Sequence, residues 1–183
     1  CNYVGELGWE LHHAFVHQAR LYDALVEAGR AHGLAHFGTR AMNSLRLEKA
    51  YRAWGTDLTL EVDPIEAGLD RLVKLDGRDF IGQKALEDAK RAGHKWRLAI
   101  LSVDATDSDA PTNAPVFANG SYAGIVASGG YGHTVKTSIA LAYLTPPHDW
   151  PGSRVEVEIL GKRCSAIVAE KPLYDPENAR LKA

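Results

Sequence analysis

The sequence is poor in cysteine, has no surplus of positive charge and contains no long apolar run. Cys1 and Cys164 are the only cysteines in 183 residues, which excludes a disulfide framework and the paired cysteines of a zinc site. The net charge of -2 leaves no basic excess for binding a phosphate backbone or an anionic membrane. No run approaches the roughly 20 apolar residues of a membrane-spanning helix, and the first residues lack the layout of a signal peptide. We therefore expect an intracellular protein in a reducing compartment, with no nucleic-acid and no membrane partner.

The chain does contain enough apolar residues for a folded core. Hydrophobic residues make up 45% of the sequence, and its length suits one good-sized domain or two small ones. It starts with Cys1 instead of Met and enters a glycine-punctuated, aromatic stretch at once. We therefore expect it to be part of a longer polypeptide.

The first half mixes helical and strand patterns. Apolar spacing predicts a helix over residues 19–32, which Gly33 would cap, and a second helix from an N-cap at Thr39 to about residue 52. A short polar helix is predicted over residues 82–91, with Gly93 after it. Aromatic and alternating patterns predict strands at residues 9–15 and 69–75.

The second half shows no helical period. Its short apolar runs, at residues 98–103, 116–117, 122–127, 138–144 and 155–160, are separated by turn-forming residues. Asn119-Gly120 predicts a two-residue hairpin, because both central residues of a type I′ turn need positive φ. We expect an α+β region over residues 1–94 and an all-β unit over residues 95–183.

One pattern resembles a metal site and another resembles a nucleotide site, but the surrounding residues argue against both. His13 and His17, like His32 and His36, are spaced for one helical face, yet neither pair has further ligands nearby. The glycine-rich residues 128–133 lack the strand-to-helix setting of a dinucleotide-binding loop, and a tight barrel corner explains them better. We expect neither a metal site nor a dinucleotide site in this chain.

Glu10 is the most informative charged residue. It lies between Trp9 and Leu11 in a segment predicted as an apolar strand, where an unpaired charge is costly. Its partner is either an arginine of the same chain or a ligand that presents two hydrogen-bond donors. Arg40 and Arg46 are the arginines we consider for the first case, although their spacing also fits a solvated helix.

Ordered motifs in both halves resemble those of glycine-cleavage T-proteins and their relatives. They are residues 3–10 (YVGELGWE), 44–49 (SLRLEK), 54–58 (WGTDL), 64–69 (PIEAGL), 79–86 (DFIGQKAL), 128–131 (SGGY) and 138–143 (SIALAY). The resemblance covers nearly the whole chain. Residues 47–55 (LEKAYRAWG) and 172–180 (PLYDPENAR) are similar to the flavin-linked dimethylglycine and sarcosine dehydrogenase branch of that family.

The resemblance implies part of an aminomethyltransferase folate-binding fold followed by a C-terminal β-barrel, with tetrahydrofolate in a central hole. Tyr3 would line the folate site, and Glu10 would hold the pterin, whose ring N–H and amino group suit the two oxygens of a carboxylate. The family's next folate arginine falls at Met42 here, and Arg40, two residues earlier, would substitute for it. Trp54 completes the cofactor-binding set that the resemblance implies.

The chemistry that the resemblance implies joins a methylene-bearing amine or iminium to a tetrahydrofolate nitrogen. The aspartate that assists this step in the family belongs to the half of the module before Cys1, so we name no catalytic residue and expect the chain alone to be inactive. FAD is also expected upstream and not in this chain. The implied partners are folate, a small N-methylated amine and upstream domains of the same polypeptide, in the cytoplasm or, in a eukaryote, the mitochondrial matrix.

Three other readings stay open. A glycine-cleavage T-protein proper is disfavoured by Met42 and by residues 51–54 (YRAW). A relative that acts in iron-sulfur cluster biogenesis carries a cysteine where this chain has Phe80, which counts against that function. The last alternative is a folate-binding or scaffolding fragment without catalysis.

Overall fold

The computed structural model describes residues 2–77 and 79–182 and contains a helical first half and an all-β second half. The helices are α1 (Gln18–Gly29), α2 (Thr39–Glu48) and α3 (Gln83–Ala92). The strands are β1 (Arg97–Val103), β2 (Pro115–Ala118), β3 (Ser121–Gly132), β4 (Thr137–Leu144), β5 (Arg154–Ile159) and β6 (Lys162–Ala169). Short 3₁₀ turns occupy Phe15–His17, Arg30–His32, Asp70–Leu72 and Arg180–Lys182. This arrangement confirms the predicted α+β class.

The six strands form a closed antiparallel barrel in the order β1-β4-β3-β2-β5-β6. Side chains alternate in and out along each strand, so that in β5 Val155, Val157 and Ile159 are buried while their neighbours are not. These residues join a core built almost entirely from small and branched apolar side chains of the barrel. Closure removes every free sheet edge, which accounts for a stable all-β unit of this size.

The hairpin prediction at Asn119-Gly120 is confirmed. Asn119 has φ 52° and Gly120 has φ 78°, and the pair connects β2 to β3 as a type I′ turn requires. The sequence patterns missed β6, which starts with the polar pair Lys162-Arg163 and shows its alternation only late in the strand. The neighbouring strand β5 pairs with β6 over six residues. Pairing with β5 therefore makes this segment a strand, although its own sequence pattern does not predict one.

The glycine-rich residues 128–133 do not form a barrel corner, and that prediction is wrong. Ser128 to Gly132 continue β3, which pairs with β4 as far as Thr137. A Cβ at Gly129 would lie 2.2 Å from the carbonyl oxygen of Ala110. Glycine is therefore required here by the close approach of two backbone segments and not by a turn.

The predicted strands at residues 9–15 and 69–75 are also wrong. Residues 9–14 have no strand assignment, and the second segment contains the 3₁₀ turn Asp70–Leu72. A strand needs a partner for its backbone groups, and in the described part of the chain the segment before Phe15 pairs with none.

The three helices occur where the sequence predicts them, with corrected ends. Gly33 has φ 71° and ends the turn that follows α1, as expected. Gly38, not Thr39, is the N-cap of α2, and no side chain caps the helix. The end of α2 at Glu48, rather than near residue 52, follows from Ala50, whose φ of 55° breaks the helical path. Within the described residues, no helix is both long and apolar enough to cross a bilayer.

Candidate functional site

The four residues predicted to bind the cofactor lie outside the barrel. Tyr3 is half-buried in the N-terminal loop, and Glu10 lies on the irregular segment that follows it. Arg40 is exposed in the first turn of α2, and Trp54 is 80% exposed just after that helix. Within the described residues, no hydrogen bond or ion pair joins any two of the four side chains.

Glu10 keeps its carboxylate available to a ligand. Its side chain is 60% exposed, and the imidazole of His12 lies beside it, with Nε2 3.6 Å from Oε2. The alternative that Glu10 pairs with Arg40 or Arg46 is wrong for this structure, because Arg46 is bound elsewhere and Arg40 forms no ion pair among the described residues. The expectation that Glu10 needs a partner for stability is also wrong, because its carboxylate is exposed to solvent. An internal arginine therefore does not explain Glu10, and a ligand partner stays a prediction.

Arg46 binds Asp57 in a buried ion pair that sequence spacing did not reveal. Arg46 Nη1 lies 2.5 Å from Asp57 Oδ2, and the two side chains are 3% and 0% exposed. The same Oδ2 accepts a hydrogen bond from the backbone N of Ala53 at 2.8 Å. Asp57 Oδ1 accepts another from Ser128 Oγ at 2.6 Å, and Ser128 belongs to β3. Asp57 therefore connects α2 to the barrel, and a solvated Arg46 is excluded.

Tyr143 on β4 completes this junction. Its hydroxyl donates to the carbonyl oxygen of Asp57 at 2.6 Å. Burial, followed by the nearby charge of Asp57, raises the pKa of Tyr143 to about 12, because both disfavour a phenolate. The tyrosine thus stays a neutral hydrogen-bond donor throughout the physiological range.

Arg52 binds backbone carbonyl oxygens, whereas Arg46 binds a carboxylate. Burial lowers the pKa of its guanidinium, whose Nε donates to the carbonyl oxygen of Ala67 at 3.0 Å. Its Nη1 and Nη2 donate to the carbonyl oxygens of Ala50 and Gly68, both at 3.3 Å. Arg52 therefore holds the loop around residue 67 against the end of α2.

Glu48 and Lys49, at the end of α2, anchor two further segments. Glu48 Oε1 accepts hydrogen bonds from the backbone N of Thr134 at 2.6 Å and of Val135 at 3.2 Å, in the β3–β4 turn. Lys49 is buried, and its Nζ donates to the carbonyl oxygen of Asp175 at 2.6 Å and to Asn178 Oδ1 at 2.8 Å. The motif at residues 44–49 is thus a junction between helix, barrel and C-terminal tail.

The same junction positions the loop that carries Tyr3. A Cβ at Gly5 would lie 2.4 Å from Lys49 Cγ, so only glycine lets this loop sit against the lysine stem. Glu6 Oε1 accepts a 2.6 Å hydrogen bond from the hydroxyl of Tyr174 in the tail. The buried lysine and the tail thereby fix where Tyr3 lies relative to α2.

The first 40 residues expose many large apolar side chains. Neither α1 nor α3 has a buried residue, although both helices are amphipathic. Exposed apolar side chains of the first 40 residues include Leu7, Trp9, Leu11, Phe15, Val16, Leu34 and Phe37, with Phe15 91% and Val16 80% exposed. So many exposed apolar side chains in one part of a chain are typical of a face that another protein segment covers. In the part of the chain that the structure describes, no group of three metal-ligating side chains occurs.

Two family models match the chain, one for each half. The GCVT N-terminal domain matches residues 1–77, and the glycine cleavage T-protein C-terminal barrel domain matches residues 97–175. The second match spans all six strands of the barrel.

Curated relatives of two kinds match nearly the whole chain. Human mitochondrial dimethylglycine dehydrogenase is 43% identical over 98% of the chain, and mouse mitochondrial sarcosine dehydrogenase is 36% identical over 99%. An aminomethyltransferase of Symbiobacterium thermophilum is 36% identical over 98%. The chain spans only 21% and 20% of the two dehydrogenases and 48% of the aminomethyltransferase.

A solved structure shows the same fold. The glycine cleavage system aminomethyltransferase T of Bartonella henselae superposes with a TM-score of 0.77 at 27% sequence identity. The superposition covers 86% of this chain and 45% of that protein. With both halves matched in order and the fold shared, the chain belongs to the glycine cleavage T-protein family, whose members here include aminomethyltransferases and dimethylglycine and sarcosine dehydrogenases.

Proposed function

We propose that the chain is the C-terminal part of a tetrahydrofolate-dependent one-carbon transfer module within a dehydrogenase of small N-methylated amino acids. The observation that carries this proposal is the 43% identity to human dimethylglycine dehydrogenase over 98% of the chain. That identity exceeds the 36% found with an aminomethyltransferase over the same share of the chain. We also propose the division into a folate-binding portion, residues 1–94, and a barrel domain, residues 95–183.

The exposed apolar surface supports a missing partner within the same module. Covering one large apolar side chain such as Trp9 or Phe15 contributes roughly 1.5–3 kcal/mol, so several of them make a strong docking face. The occupant we propose is the other half of the folate-binding module, which would precede this chain in the longer protein. The chain spans 48% of the aminomethyltransferase relative, which leaves about half of that protein to supply such a partner.

The folate site would then be shared between the two halves. Glu10 fits the pterin because its carboxylate is exposed, has no arginine partner among the described residues and can accept two hydrogen bonds in one plane. Tyr3 would line the site from a loop that Lys49 and Tyr174 hold in place. Trp54, with its ring 80% exposed, offers a stacking face, and Arg40 offers a cation for the folate carboxylates.

Bound tetrahydrofolate would accept a methylene group through nitrogen while the amine leaves without it. The residues of this chain would orient the pterin and help to exclude water, and they supply no general acid or base that we can name. The flavin that oxidises the amine in the dehydrogenases would lie in another part of the longer protein. A mitochondrial matrix location would follow if the source is a eukaryote, as in the mitochondrial relatives, and a cytoplasmic one otherwise.

The second candidate is an aminomethyltransferase of the glycine cleavage system. Both the Symbiobacterium relative and the Bartonella structure favour it over a purely scaffolding role, because they match 98% and 86% of the chain. The two candidates share the folate site and differ in the amine donor. A flavin in the purified longer protein distinguishes them directly.

The test compares the chain alone with the longer protein that contains it. We expect the longer protein to bind tetrahydrofolate and to form methylenetetrahydrofolate from a methylated amine. The chain alone should bind tetrahydrofolate weakly and transfer nothing, because its half of the cavity is open. Micromolar tetrahydrofolate binding by the chain alone would contradict a shared cavity.

A pair of variants tests the docking face separately. Phe15→Ser with Val16→Ser should weaken association of the chain with the separately expressed upstream half at least tenfold, since each lost side chain removes over 1 kcal/mol. Leu160→Asn is the matched control, because Leu160 is 81% exposed on the barrel turn between β5 and β6. Equal affinities of the double variant and the control would show that the upstream half docks elsewhere.

A further inference from the structure

The turn between β2 and β3 presents an asparagine-glycine pair to solvent. Asn119 and Gly120 are both exposed, and their φ angles are 52° and 78°. A Cβ built at Gly120 would meet no atom within 4 Å, so the surroundings of its backbone N are open. Both partners of a reaction between the Asn119 side chain and this N are therefore accessible to water.

An asparagine followed by glycine is open to an intramolecular reaction. The backbone N of Gly120 attacks Cγ of Asn119, its proton passes to solvent, and the new C–N bond closes a succinimide ring while the side-chain nitrogen leaves as ammonia. Water then opens the ring at either carbonyl and leaves aspartate or isoaspartate. Water is the only co-reactant, because each step is an acyl transfer in which no atom is oxidised or reduced.

The sequence contains five asparagines, and two others share the backbone conformation of Asn119. Asn113 and Asn178 have φ angles of 68° and 57°. The backbone N that follows each of them is engaged, since Ala114 N donates to a backbone carbonyl oxygen at 3.1 Å and Ala179 N to a carboxylate oxygen at 2.8 Å. That hydrogen bond has to break before the N can attack, and alanine also crowds it where glycine does not.

The side-chain amides of the asparagines differ in the same direction. Asn2 Oδ1 accepts a hydrogen bond from a backbone N at 2.8 Å, and Asn43 Oδ1 accepts one from an arginine at 2.9 Å. Asn178 Oδ1 accepts one from Lys49 at 2.8 Å. Among the residues that the structure describes, nothing holds the Asn119 side chain in this way, so it rotates freely about χ1.

We propose that Asn119 is a site of spontaneous deamidation in the folded protein and that its isoaspartyl product destabilises the barrel. An aspartate at this position keeps the main chain unchanged and tolerates positive φ, as asparagine does. An isoaspartate instead routes the main chain through the side-chain carbon and adds a methylene group to the turn. A two-residue turn sets the register of its two strands, so the added group disturbs the pairing of β2 with β3.

The strand before this turn has little other support. β2 is four residues long, and it pairs with β5 only at Val116 and Phe117. Val116 and Ala118 are 0% and 3% exposed in the barrel core. A change of register at the turn therefore moves core side chains and weakens the closure of the barrel between β2 and β5.

Incubation of the folded chain at mildly alkaline pH tests the proposal, because the attacking N has to lose its proton. Peptide mapping by mass spectrometry, in water enriched in heavy oxygen, measures amide loss at each asparagine and shows that water opened the ring. We expect Asn119 to react about tenfold faster or more than each of the other four asparagines. The melting temperature of the isoaspartyl protein should be lower by about 4 °C or more.

Two variants separate this reaction from general ageing of the protein. Asn119→Gly removes the reactive side chain and keeps a pair that favours the same turn, so its melting temperature should not fall during the incubation. Asn113→Gly is the matched control, because it removes an asparagine of the same conformation elsewhere and should lose as much stability as the wild type. Asn119→Asp reproduces the aspartyl product and should melt within about 1 °C of the fresh wild type.

Three results would overturn the proposal. One is an unchanged Asn119 in the folded chain under conditions in which the urea-unfolded chain reacts there, because the turn would then block the attack. Another is reaction at a second asparagine as fast as at Asn119. The third is an equal loss of melting temperature in Asn119→Gly and in the wild type.

Discussion

The buried carboxylate of Asp57 provides the sharpest test of how the two halves hold together. Asp57 is fully buried and accepts hydrogen bonds from Arg46, from the backbone N of Ala53 and from Ser128. Asp57→Asn keeps the shape of the side chain but removes the charge and one acceptor oxygen. Arg46, 3% exposed, then stays buried without its counter-charge.

The expected cost follows from that burial. Breaking a buried ion pair by neutralising one partner costs roughly 3–5 kcal/mol. For a chain of this length each kcal/mol lowers the melting temperature by about 2–4 °C, so Asp57→Asn should lower it by roughly 6–20 °C. Thermal unfolding followed by circular dichroism measures this shift.

Asp107→Asn is the matched control. Asp107 pairs with Lys162 at 3.5 Å, but both side chains are more than 70% exposed, so the pair contributes at most about 1 kcal/mol. Replacing both partners of the buried pair, as Arg46→Met with Asp57→Leu, should cost less than the two single changes together. Equal shifts for Asp57→Asn and Asp107→Asn, or additive single changes, would refute the reasoning.

Three further outcomes follow from contacts elsewhere in the structure and at this junction. Because the folded protein holds the Tyr143 proton up to a pKa of about 12, against 10.0 ordinarily, its contribution is fully present below pH 10 and is lost as pH rises toward 12. Between pH 10 and pH 12, the free energy of urea unfolding should therefore fall by about 2 kcal/mol more for the wild type than for Tyr143→Phe. Equal falls for the two proteins would contradict a raised pKa for Tyr143. Lys49→Met removes the hydrogen bonds to Asp175 and Asn178, so hydrogen exchange in the C-terminal tail should become at least tenfold faster, and unchanged exchange would show another anchor. Gly129→Ala would place a Cβ 2.2 Å from a backbone oxygen and should cost about 1–3 kcal/mol, whereas Gly8→Ala, in open surroundings, should change the unfolding free energy by less than about 0.5 kcal/mol.

Local signals predicted the barrel well. Its strands are short apolar runs separated by turn residues, and Asn119-Gly120 adopts the positive φ angles that the pair favours. The missed strand β6 depends on pairing with β5 and with β1, which a pattern read along one segment does not contain. The glycines of residues 129–132 were misread for a similar reason, because their role is a close approach to segments distant in sequence.

The first half was harder to predict because its segments lack partners among the described residues. Residues 9–15 have the composition of a strand, yet no described strand pairs with them, so this segment does not form the predicted strand. The Arg46–Asp57 pair was missed because only the fold reveals which charged residues are buried together. Glu10, in contrast, was singled out from its apolar neighbours, and the structure removed one of the two explanations offered for it.

The most direct test of the central proposal is tetrahydrofolate binding by a Glu10→Ala variant of the longer protein. Loss of two charged hydrogen bonds to the pterin should cost about 2–4 kcal/mol, or ~30- to 1000-fold in the dissociation constant. The melting temperature should hardly change, because the Glu10 side chain is 60% exposed and pairs with no lysine or arginine among the described residues. Glu27→Ala is the control, since Glu27 on α1 forms a similarly exposed ion pair with Arg30 in the following turn and should leave affinity unchanged. A dissociation constant for Glu10→Ala equal to that of the control would contradict a folate site on this part of the chain.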